Sequence, residues 1–237
     1  MRLPRVRFTV RSMMVAVVIL SGSAVSAHDH LIPEEGSLND RGVDYARTLR
    51  RAFFQGAEFD AYRARVVCVP SFKPAWAVTL VCDDQDGDRP AYFILVAELE
   101  GRAGVETERA EVRRAKSPLD RETGEAIQRA WLTMLRGVRH PRHPVAGADG
   151  VTYHFSRFVK LPSDDPIAPA GWETGQIWSP DPASPPGRLA GLADRLRAYA
   201  IASQEERPKI RDGILKEANA LQSDLDRGQT RGSGTPE

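Results

Sequence analysis

The chain has 237 residues, 41% hydrophobic and 27% charged, an ordinary globular balance that excludes a disordered or fibrous protein. Its formal net charge of +1 includes four arginines within the first eleven positions. The remainder is mildly acidic, which argues against a nucleic acid partner, because phosphate binding needs a clustered basic surface.

Residues 1–27 read as a signal peptide. Arg2, Arg5, Arg7 and Arg11 precede an apolar run from Met13 to Leu20, and Val25-Ser26-Ala27 supplies a small-residue exit. The run is shorter than the roughly 20 apolar residues of a membrane span. Ala24 is a second exit, and retention as an anchor is the other outcome, in which case the leader is the only membrane contact. Cleavage after Ala27 leaves 210 of the 237 residues and removes four positive charges, taking +1 to −3. The sequence therefore predicts a secreted or periplasmic domain.

Residues 28–40 are polar and predict a flexible N-terminal segment, followed by a single α+β domain over 41–227. Asn39-Asp40 can cap a helix from Arg41 to Gln55, with Val43, Ala46, Leu49 and Phe53 on one face and Gly56 as its stop. Three apolar stretches follow, Ala64 to Val69, Ala75 to Cys82 and Ala91 to Leu99, and read as strands. The third is apolar on both faces, as a covered central strand requires. Thr107 to Ala115 reads as a polar edge strand. Ser117 as cap, Pro118 at the first helical position and Asp120 three residues after the cap predict a helix ending at Gly137. Its stripe is Leu119, Thr123, Ala126, Ile127, Ala130, Trp131 and Met134.

Val151 to Val159 alternates as a strand, and Glu173 to Trp178 is a short segment before a proline-rich loop. Two helices close the domain. The first runs from Pro186 to Ala202. The second opens on a Ser203/Glu206 capping box and carries the stripe Ile210, Ile214, Ala218, Leu221 and Leu225. Residues 228–237 read as a disordered tail. Strands and helices fall in blocks. The expected fold is α+β: a mostly antiparallel sheet of five to six strands packed by an N-terminal helix, a central helix and two C-terminal helices.

Candidate chemistry is sparse. Cys68 and Cys82 are the only cysteines, and outside the cytoplasm an isolated pair reads as a disulfide. Its 15-residue loop would contribute about 3 kcal/mol. Cleavage after Ala27 would expose His28-Asp29-His30, whose amine, backbone amides and third-position imidazole suit square-planar Cu(II) or Ni(II). With another histidine nearby, the amine and ring of His28 alone would chelate copper. That arrangement resembles the histidine brace of copper-dependent polysaccharide monooxygenases, which are β-sandwiches, whereas this chain is rich in helices. His140 and His143 read as surface-loop residues, and Asp83 to Asp88 as a solvated turn that departs from the calcium-loop pattern.

No nucleophile elbow, zinc-protease motif, phosphate loop or cofactor motif occurs in the domain. His154 and Ser156 share a strand face and are the catalytic candidates of a hydrolase reading, with no orienting acid in sight. Tyr153, Trp172 and Trp178 sit near proline-rich loops and are the binding candidates. The leading expectation is an exported, disulfide-stabilised domain that binds a protein or small ligand. The alternatives are a hydrolase using His154 and a Cu(II)/Ni(II) binder starting at His28.

Overall fold

Strands dominate wherever β-branched and aromatic residues cluster. In the computed structural model, which describes residues 29–34, 44–53, 62–83, 91–100, 111–141, 149–160 and 170–232, these become β1 (Tyr62–Pro70), β2 (Trp76–Asp83), β3 (Ala91–Leu99), β4 (Val112–Leu119), β5 (Val151–Lys160) and β6 (Ala170–Trp178). The helices are α1 (Asp44–Phe53), α2 (Arg121–Arg136), α3 (Pro185–Ile201) and α4 (Arg207–Gly232). All neighbouring strands are antiparallel, in the order β4-β3-β2-β1-β5-β6. The fold is α+β. The leader, Ala24, Ala27, His28, Val43, His143 and residues 84–88 of the acidic turn lie outside the described residues. Among the described residues no helix is long and apolar enough to cross a membrane.

Alternation sends Ala64, Val66, Cys68, Trp76, Val78, Leu80, Ile94 and Phe155 to one face of the sheet. There they meet α2 through Ile127, Ala130 and Trp131, and α3 through Leu189, Leu192 and Leu196. The Trp131 indole stands edge-on to Phe155 at 5.2 Å. Helix α4 lies across α2 and α3 as an outer layer and buries Ile214, Ala218 and Leu221. Arg188 of α3 holds Glu217 of α4 at 2.7 Å and also pairs with Asp224. Close approach dictates Gly124 of α2, where a Cβ would stand 2.5 Å from the Tyr92 ring. Among the described residues α1 is the only helix on the opposite face, where Leu49, Ala52 and Phe53 pack against Val67, Ala75, Ala77 and Leu99.

The boundary between β4 and α2 differs from the sequence expectation. Ser117 and Pro118 belong to β4, and the helix cap is Asp120, which accepts from the Thr123 amide at 2.9 Å. Ser117 instead donates to the Ala200 carbonyl of α3 at 2.9 Å. Pro118 is accommodated because β4 is an edge strand, where a missing N–H interrupts little. Half of the capping box at Ser203 forms: the Ser203 amide donates to the Glu206 carboxylate, but the Ser203 hydroxyl donates to that carboxylate too, and the Glu206 amide bonds the Ser203 carbonyl.

The disulfide expectation fails. Cys68 and Cys82 are both buried and are not joined by a disulfide. The hairpin register explains why. Cys68 stands opposite Trp76, and Cys82 lies six residues further along β2, roughly 20 Å away at about 3.3 Å per residue. A bridge needs Cα atoms within about 7 Å. The domain is not disulfide-stabilised; its helix-covered core holds it together.

Candidate functional site

The face opposite α2 and α3 carries the chemistry. Antiparallel partners point to the same side of a sheet, so the register builds transverse rows. One row reads Thr174, Ser156, Arg65, Thr79, Leu95 and Lys116 from β6 across to β4. The next reads Gln176, His154, Val67, Ala77, Ala97 and Arg114. Polar groups thus collect over β6, β5 and β1, small apolar groups over β2 and β3, and cations on the β4 edge.

A cavity of about 350 Å³ lies between α1 and this face. Ala52, Phe53, Ala77, Leu95 and Ala97 supply its apolar wall, and Tyr62, Thr79, Arg114 and Lys116 its polar groups. Arg114 donates from Nη2 to the Ala52 carbonyl at 3.0 Å, which satisfies an end carbonyl of α1 and ties that helix to β4. The Lys116 ammonium sits 4.3 Å from the Phe93 ring centroid.

Arg65 stands beside the cavity in the middle of the sheet, only 1% exposed. Its Nε donates to Thr79 Oγ1 at 3.2 Å, and its guanidinium lies 4.2 Å from the Tyr62 ring centroid and 5.7 Å from that of Trp172. Burial lowers the guanidinium to about 10 against the opposing influence of Tyr62, so it remains a cation at neutral pH.

Residues 29–34 wrap the β6 edge and deliver an acid to the same face. Leu31 is fully buried in the helix-side core. Ile32 exchanges backbone hydrogen bonds of 3.0 and 2.8 Å with Gln176. The Arg139 amide donates to the Leu31 carbonyl at 3.1 Å, and its guanidinium holds both Asp29 carboxylate oxygens at 3.0 Å. Beyond this bridge, Glu34 Oε1 comes within 3.4 Å of His154 Nδ1, the two side chains being 4% and 5% exposed. His154 therefore has the carboxylate neighbour that sequence reasoning could not place. Ser156 lies two positions along the same face, opposite Arg65 and Thr174. A ring so deeply buried offers no open approach to a substrate.

The three aromatic candidates do not converge. Tyr153 is on the helix side, edge-on to Trp76 at 6.3 Å, with its hydroxyl 3.5 Å from Asp194. Trp172 and Trp178 are on the other face at opposite ends of β6, roughly 20 Å apart along the strand. Trp172, 41% exposed, stands edge-on to Phe158 at 5.4 Å. His30 is mostly buried, with Nδ1 2.5 Å from the Asp29 carboxylate, a contact that, with Arg139, holds the Asp29 pKa below the usual carboxylate value. His140 is exposed. Among the described residues no group of three or more histidines, cysteines and acids is arranged to hold a metal. Cys68 is no nucleophile. Burial, aided by the charge of Asp194, pushes its thiol up to about 12.

Sequence reasoning missed Arg65, Thr79, Arg114, Lys116 and Glu34. For Arg65 a signal existed: a lone cation inside the apolar run Ala64-Arg65-Val66-Val67. For Glu34 there was none, because its partner is 120 residues away in sequence.

No family model matches the chain, and neither the curated proteins nor the solved structures contain a match to it. Fold and site therefore define the protein by architecture: an α+β domain whose sheet has one packed face and one polar, partly hollow face.

Proposed function

We propose that this domain binds a small, largely apolar molecule in the cavity between α1 and the sheet. The observation that carries the reading is the set of alanines at facing positions. Ala52 on α1, Ala77 on β2 and Ala97 on β3 leave about 350 Å³ open where the other face is filled by Trp, Leu and Ile. Protein interiors are normally close-packed, and this volume falls at the lower end of small-molecule pockets, which start near 300 Å³. The leader-like start of the chain would put this binding domain outside the cytoplasm, secreted or periplasmic, and its ligand with it.

Thermal unfolding with eight-carbon compounds tests the proposal. Octanoate or 1-octanol is expected to raise Tm of the protein. Ala97→Phe, which fills the cavity from β3, is expected to abolish that rise. A rise that persists in Ala97→Phe, or no rise with either compound, overturns the reading.

A further inference from the structure

We infer that the ligand enters this cavity as a carboxylate on a short apolar body, read by Thr79, Lys116 and Arg114. The inference rests on the cavity being the binding site. Its basis is the donor character of these three groups. Lys116 and Arg114 carry only hydrogen-bond donors. Thr79 could act either way, but its Oγ1 already accepts from Arg65 Nε at 3.2 Å. That is its only hydrogen bond among the described residues. The side chain is buried, 6% exposed, and lines the cavity. Its hydroxyl proton is therefore left to donate, and the matching group on a ligand is an acceptor oxygen.

Charge narrows the choice from acceptor to anion. Lys116 and Arg114 stand on the β4 side of the cavity, and the buried Arg65 cation lies behind Thr79. An ammonium head group would meet like charge from all three. A neutral hydroxyl would satisfy Thr79 and gain nothing from the cations. A carboxylate satisfies both, because ionised acceptors make the stronger hydrogen bonds. The apolar body follows from Ala52, Phe53, Ala77, Leu95 and Ala97 on the remaining wall. Arg65 acts as a positioning residue: from its place in β1 it commits the Thr79 oxygen and so fixes the direction of the hydroxyl proton.

Isothermal titration of the intact domain with octanoate, 1-octanol and octylamine at pH 7.5 tests the assignment. Octanoate is expected to bind at least about tenfold more tightly than octanol, and octylamine more weakly than either. Added salt should weaken octanoate and leave octanol unmoved. Lys116→Gln, on an exposed edge position, should bring the octanoate-to-octanol ratio close to one, and Thr79→Val should reduce it in the same direction. Equal binding of octanoate and octanol to the unaltered protein overturns the head-group assignment while leaving the cavity as a binding site. Failure of all three compounds to bind overturns both.

Discussion

The two faces of one sheet are built to opposite rules. On the helix side, Val66, Val78, Leu80, Ile94 and Phe155 interlock with Trp131, Ile127, Leu189 and Leu192. On the other side, the residues between them in sequence include Arg65, Thr79, His154 and Ser156, with alanines beneath the short helix α1. Val66 and Arg65 are adjacent on β1, yet one is a hydrophobic core residue and the other a buried cation beside a cavity. The comparison teaches that a densely packed face and a polar, partly open one are separated here by the two-residue period of a strand, not by domain or loop.

If that division holds, damage to the packed face should cost the most. Trp131→Ala removes the largest fully buried side chain among the described residues, edge-on to Phe155. A loss of about 3–5 kcal/mol is expected in urea denaturation; a loss under about 1 kcal/mol would show that this face is not the dominant core.

A middle-sized effect is expected from the buried thiol on the same face. The folded protein raises Cys68 from 9.0 to about 12. Its contribution to stability is therefore complete below pH 9 and is lost as pH rises towards 12, because the unfolded chain releases the proton first. Tyr92, raised from 10.0 to about 12 chiefly by burial, adds to the loss in the upper part of that window. Urea midpoints measured from pH 8 to 12 should fall in the unaltered protein. The fall should be shallower in Cys68→Val, most clearly between pH 9 and 10. Identical slopes in the two proteins would refute the buried-thiol account.

The smallest effect on stability is expected on the polar face. Arg65→Met substitutes an apolar chain of comparable reach for a desolvated cation, and such replacements are often neutral or stabilising. The unfolding free energy should stay within about 1.5 kcal/mol of the unaltered protein. A loss of about 3 kcal/mol or more in urea denaturation would make Arg65 a structural residue and erase the contrast between the faces.

Much of the fold was legible in the chain because its signals are local. Apolar runs marked β1, β2 and β3, and the stripe around Ile127 and Trp131 marked α2. The Ser203/Glu206 box marked the start of α4. The α2 boundary misled because Ser117-Pro118 mimics a cap, while the actual cap is Asp120, with Thr123 as its partner. The disulfide misled for a different reason. Two cysteines behind a leader-like start invite pairing, but a hairpin with Cys68 opposite Trp76 carries Cys82 to the far end of the strand. The candidate site was less legible. His154 and Ser156 were visible as strand neighbours, whereas the cavity and its cations became visible only once β4 was placed beside β3.

By itself the sequence determined the α+β class, the strands β1, β2, β3 and β5, the helical stripes and the alternation that gives a strand two distinct faces. Tertiary structure alone decided which residues meet: Arg65 with Thr79, Glu34 with His154, and Lys116 and Arg114 with the alanines of β2, β3 and α1. The reason is physical. Alternation and capping are set by neighbours a few residues apart, whereas inter-strand register depends on hydrogen bonds and packing across the whole sheet. A cavity lined by four strands and a helix exists only when that register is in place.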